Sequence, residues 1–92
     1  MNKTIILTML ALLVSGCGKS LSRDERDKDK PGYQEAKTFC AQCHSLPFGD
    51  QHPAAAWSDV VARMEGYMQT QKRRMPDPAQ REAIVTYFQN DK

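Results

Sequence analysis

Apolar positions along this 92-residue chain change their spacing three times, and each change marks a different kind of segment. Ile5 to Val14 is a ten-residue apolar run behind the short basic leader Met1-Asn2-Lys3-Thr4. That run is too short to cross roughly 30 Å of bilayer hydrocarbon as a permanent helix, and it reads as a signal peptide. From Lys19 to Lys30 the pattern reverses: charges of both signs alternate, with Leu21 the main apolar residue. Such a segment buries too little surface to offset its chain entropy, so residues 17–31 are expected to be a flexible tether.

Beyond Pro31 the periodicity becomes helical. Gly32 to Cys40 predicts a first helix. The breakers Pro47, Gly49, Asp50 and Pro53 then make a loop of residues 45–53, and a second helix is expected from about Ala54 to Gln71. Within it Trp57, Val60, Val61, Met64 and Met68 share one face. A third helix starts near Asp77 or Pro78, with proline in the first turn, and carries Ile84, Val85, Tyr87 and Phe88 towards the chain end. No strand pattern or internal repeat competes. The expected organisation is a signal peptide over residues 1–16, a tether over 17–31 and an all-α domain of about three helices over 32–92.

Cys40-Ala41-Gln42-Cys43-His44 changes the picture most, because C-x-x-C-H is the spacing of c-type haem attachment. Two thiols separated by two residues each add to one haem vinyl group, and the adjacent imidazole enters the iron's coordination sphere. The same residues also suit a dithiol redox pair or half of a zinc site. A thioredoxin-like pair needs a βαβ context, which this chain lacks. A closed zinc site needs two further ligands, and His52 and Cys17 are the only other histidine and cysteine. A head of some 60 residues also needs a staple to hold a sufficient core, which a covalent haem supplies.

Cys17 ends the stretch Val14-Ser15-Gly16-Cys17, which resembles the lipobox of bacterial lipoproteins, where cleavage precedes a lipid-bearing cysteine. Every thiol then has a use: lipid at Cys17, haem at Cys40 and Cys43. Gly18 in the next position resembles the sorting pattern of outer-membrane rather than inner-membrane lipoproteins of Gram-negative bacteria. Without Lys3 the chain has twelve basic and eleven acidic side chains, a balance that leaves no electrostatic footprint for nucleic acid. Lys72-Arg73-Arg74 is a local basic cluster, either a solvated helix end or a surface for haem propionates or an acidic redox partner.

With these residues in hand, the chain resembles a small monohaem class I cytochrome c on a bacterial lipoprotein anchor. The resemblance covers residues 32 to about 90: Gly32 opening the first helix, Cys40 to His44, the tryptophan-containing middle helix and Ile84-Val85-Thr86-Tyr87-Phe88 in the last. It implies that the first and last helices cross with Gly32 against aromatic residues, Tyr33 or Phe39 standing in for an aromatic residue that is Ala36 here. It implies one covalent haem c, with Cys40 and Cys43 as thioethers and His44 as proximal iron ligand. It also implies a methionine as the sixth ligand. Met75, followed by Pro76, matches the family's loop methionine, while Met68 and Met64 are alternatives that also read as core positions.

His52 reads as a surface or propionate-contacting residue rather than a second axial histidine, and Trp57 and Arg63 are further candidates for propionate contact. Pro47 or Pro53 is expected to offer its carbonyl to the Nδ1 hydrogen of His44. The implied function is electron transfer by Fe(III)/Fe(II) cycling with redox protein partners, on the periplasmic side of a membrane that the lipid anchor reaches. The alternative is a ligand-binding or sensing haem protein with an open or labile sixth site. An enzyme is the weaker reading, since no distal acid–base pair is identifiable.

Overall fold

The computed structural model describes residues 21–92; the leader, the lipobox and Cys17 lie outside them. The described residues form α1 (Arg23–Asp27), α2 (Tyr33–Cys40), two single 3-10 turns (Gly49–Gln51 and Ala54–Ala56), α3 (Trp57–Thr70) and α4 (Pro78–Asn90). They contain no strand, and the domain is all-α. Among them no helix is long and apolar enough to cross a membrane.

Local chemistry sets the helix ends. Asp77 and Gln80 close a reciprocal capping box at the start of α4: the Gln80 amide donates to Asp77 at 2.7 Å and the Asp77 amide to the Gln80 side chain at 2.8 Å. Pro78, which has no amide hydrogen, occupies a first-turn position where none is needed. At the other end of α3 the chain turns back at Lys72, whose φ of 54° is left-handed. The Arg73 amide then reaches the Met68 carbonyl at 2.8 Å and the Lys72 amide the Gln69 carbonyl at 3.2 Å, which is a Schellman closure with lysine where glycine is usual. The middle helix begins three residues later than its apolar pattern predicts. Pro53 is extended and the chain after it first winds as a tighter 3-10 turn, so the α-geometry starts only at Trp57.

Three helices supply the core: Tyr33, Ala36 and Phe39 from α2, Trp57, Val60, Val61 and Met68 from α3, and Ile84, Val85, Tyr87 and Phe88 from α4. Gly32 is where α2 meets α4. Its φ is 84°, and a Cβ there would fall on the Ala83 carbonyl and come within 2.9 Å of the Tyr87 Cβ. Only glycine permits both that backbone and that approach. Gly32 thus packs closely against α4, with Tyr33 tilted against Tyr87 at 5.4 Å between ring centroids. Gly49 is a second close approach: its amide donates to Asp91 at 2.8 Å and its carbonyl accepts the Trp57 indole N–H at 2.8 Å, which seats the 45–53 loop against α3 and α4.

The tether reading needs correction over its second half. Ser22 caps α1, and Asp27 within it is wholly buried. Asp27 accepts from the Tyr87 hydroxyl at 2.7 Å, from Arg26 at 3.0 Å and from Lys30 at 3.0 Å. Arg23 donates to Tyr87, to the Leu46 carbonyl and to Asp91 at 3.1, 3.1 and 2.8 Å. Arg23, Arg26, Asp27 and Lys30, whose charges argue for a solvated coil, are instead paired with one another or with Tyr87 and Asp91. The domain therefore begins near Ser22, and Cys17 precedes it by five residues, a reach of at most roughly 18 Å.

Candidate functional site

The last turn of α2 delivers Cys40 to the core side, and the chain leaves the helix through Ala41 and Gln42 to bring Cys43 and His44 to the surface. The paired cysteines and the histidine line one face of a cavity of about 290 Å³. Met64, Tyr67, Met68 and Gln71 line the facing side from α3, and Phe39 completes it. Met64, Met68 and Gln71 recur at the three- and four-residue spacing of one helix face, so α3 turns the side chains that its sequence pattern groups together towards the motif. The walls are almost wholly apolar in chemistry, two thiols, two thioethers and two aromatic rings, with His44 and Gln71 as the polar members.

His44 Nδ1 is 2.8 Å from the Ser45 carbonyl. A carbonyl only accepts, so Nδ1 carries the hydrogen, and Nε2 is the ring nitrogen this contact leaves for a ligand. The orienting carbonyl thus comes from Ser45, the next residue, and not from Pro47 or Pro53. The two thiols differ. Cys40 is 4% exposed, and burial, with the charge of Glu65 as a smaller cause, pushes its thiol up to about 12. A dithiol redox pair that used Cys40 as its nucleophile would need that thiol to ionise easily, and its burial works against this. Among the described residues no three His, Cys, Asp or Glu side chains converge as a metal-binding group.

A c-type haem fits this donor set: two free thiols for its vinyl groups, an oriented imidazole, and thioethers across an apolar cavity. Of the three candidate methionines, the structure brings Met64 and Met68 to the motif and leaves Met75 outside. Met75 is 42% exposed and does not line the cavity. Proline follows it and Arg74 precedes it, and the Arg74 backbone is tied to the motif loop: Gln42 donates to its carbonyl at 2.9 Å and accepts from its amide at 3.1 Å. Met68 is already packed in the core, whereas Met64 is half-buried at the rim.

The remaining candidates separate as clearly. Trp57 is fully buried with its indole N–H committed to Gly49, so it is not available to a propionate. His52 stands edge-on to Trp57 at 5.1 Å and does not line the cavity. Arg63 is exposed on α3 and does not line it either. Lys72, Arg73 and Arg74 are all exposed, in the turn that follows cavity-lining Gln71. Tyr67, Gln71 and Gln42 are the residues that the sequence pattern does not single out. The first two follow Met64 at helix-face spacing, a signal that was present; Gln42 sits at a variable motif position that carries none.

Comparison with family models, with curated proteins and with solved structures gives no match.

Proposed function

We propose that this chain is an electron-transfer protein that carries one c-type haem on Cys40 and Cys43, with His44 as the proximal iron ligand. The observation that carries the reading is the convergence of both motif thiols, the oriented His44 ring and two α3 thioethers on one apolar cavity. When bound, the haem supplies reversible one-electron exchange between Fe(III) and Fe(II). The chain's part is to hold it and to tune it. Cys40 and Cys43 fix the group through thioether bonds, and the Ser45 carbonyl holds the His44 ring in one tautomer. Phe39 and Met68 keep water from the inner wall, and exposed Cys43 and His44 leave one side at the surface, where a partner can approach.

The sixth ligand proposed is Met64 in place of Met75. Met68 would have to leave protein packing to reach a ligand position, while Met64 stands at the rim with part of its side chain uncovered. A thioether donor favours the reduced iron and raises the potential relative to a second imidazole. The head is carried, on this reading, by lipid at Cys17 on the periplasmic side of a membrane, with the outer membrane favoured by Gly18.

Spectroscopy of the holoprotein tests the assignment. The methionine-to-iron charge-transfer band should survive Met75→Ala and disappear in Met64→Ala, which should also bind carbon monoxide readily. Rapid, stoichiometric carbon monoxide binding by the unmutated protein would assign a ligand-binding haem instead. For the anchor, the native chain should partition into membranes and gain a diacyl-lipid mass at Cys17; an unmodified, soluble mature chain contradicts it.

A further inference from the structure

Gln42 lies between the two motif cysteines, and its side chain hydrogen-bonds into the turn after α3. It donates to the Phe39 carbonyl at 2.8 Å and to the Arg74 carbonyl at 2.9 Å, and accepts from the Arg74 amide at 3.1 Å. Both polar groups of the Arg74 backbone are thereby tied to the motif loop, across 32 positions of sequence. The Arg74 guanidinium also stands over the Phe39 ring at 5.7 Å. On the other side of Met75 comes Pro76, which confines the residue before it to extended backbone. Met75 is therefore bracketed, clamped before and stiffened after, and in that bracket its side chain is 42% exposed and outside the cavity.

The left-handed turn at Lys72 supports the same end. The Lys72 φ of 54° and the Arg73 amide to Met68 carbonyl bond reverse the chain sharply as it leaves α3, so the route from Gln71 to Arg74 is short and fixed. Without the Gln42 contacts the segment from Arg74 to Asp77 is a loop between two capped helices with a thioether in its middle, close in sequence to the cavity-lining Gln71. It would be able to swing Met75 inward.

We propose that Gln42 is the positioning residue that decides which methionine reaches the haem iron: its clamp on Arg74 holds Met75 out of the cavity and reserves the sixth position for a thioether of α3. This rests on the haem reading above and adds a determinant that the attachment motif itself does not contain. The clamp's two hydrogen bonds to Arg74, at the ordinary net worth of such bonds, bias the two loop positions by about tenfold to a hundredfold.

The test uses holoprotein variants and reads ligation and loop protection rather than electron transfer. Gln42→Ala should keep covalent haem but show a second methionine-ligated population by paramagnetic NMR, together with faster amide exchange at Arg74 and Met75. Adding Met75→Ala should remove that population. In the Met64→Ala background, carbon monoxide binding should slow by about tenfold when Gln42→Ala is added, because the freed Met75 closes the site. Gln42→Glu keeps an acceptor for the Arg74 amide and loses both donors, so its loop protection should be intermediate. A single unchanged methionine signal in Gln42→Ala, with carbon monoxide binding in the double variant as fast as in Met64→Ala alone, overturns the proposal. So does loss of the methionine signature in Met75→Ala with Gln42 intact. Absence of covalent haem from every variant and from the unmutated chain is a different result: it removes the haem reading itself.

Discussion

Trp57 lies flat on Phe88, with ring centroids 4.3 Å apart and 11° between the planes. The pair joins the first residue of α3 to the last turns of α4, and both rings are fully buried. Because α3 also carries Met64 and Met68, this stack helps fix the height at which the cavity's far wall stands over the cysteine motif.

Phe88→Ala should therefore cost about 3 to 5 kcal/mol, the usual range for deleting a buried aromatic side chain. Denaturant unfolding followed by Trp57 fluorescence measures it. Phe88→Leu should recover part of the loss by refilling volume, though not the stacked geometry. A loss below about 1 kcal/mol for Phe88→Ala would mean that the stack contributes little.

Gly32→Ala should cost about 2 to 4 kcal/mol, because the new methyl group meets the Ala83 carbonyl while the backbone stays at a φ of 84°. The loss should appear as a lower denaturation midpoint with an unchanged slope. A neutral Gly32→Ala would show that α2 and α4 can separate without penalty.

The packing at Gly32 was expected only from the family resemblance, whereas the C-x-x-C-H motif could be read in the sequence because it depends on residue types whose chemistry is local, two thiols and a ring at fixed spacing. The three main helices follow the same logic, from the apolar face of Trp57 to Met68 and from the Asp77-Pro78 start signal. The Ser22–Lys30 segment was illegible for the opposite reason. Its charges look like solvated ones until Asp27 is seen under the Tyr87 hydroxyl, 60 residues away. For Met75 the proline neighbour is visible in the sequence, whereas the Gln42 hold on Arg74 exists only once the chain is folded.

Buried Asp27 gives the domain an acid-sensitive joint. Burial alone would raise its pKa, but the hydrogen bonds from Arg26, Tyr87 and Lys30 outweigh that and hold it well below the ordinary 3.8. A carboxylate whose folded value is depressed contributes its full stabilisation above the unfolded value near 3.8 and loses it as pH falls below that towards the folded value. Asp27→Asn should thus cost about 2 to 4 kcal/mol at neutral pH, leaving Tyr87 and Arg23 imperfectly paired. The difference from the unmutated protein should shrink steadily below about pH 4. Unfolding free energies measured across pH 3 to 7 check this; a difference that does not change with pH would contradict it.

Acid–acetone extraction followed by denaturing electrophoresis with haem staining tests the central reading most directly, applied to the protein matured in a host able to attach c-type haem. The account predicts that haem stays with the polypeptide at one per chain, and that Cys40→Ser or Cys43→Ser sharply lowers the amount of mature stained protein. Haem that extracts into acetone from the unmutated chain, or a folded mature chain that carries none, would contradict it.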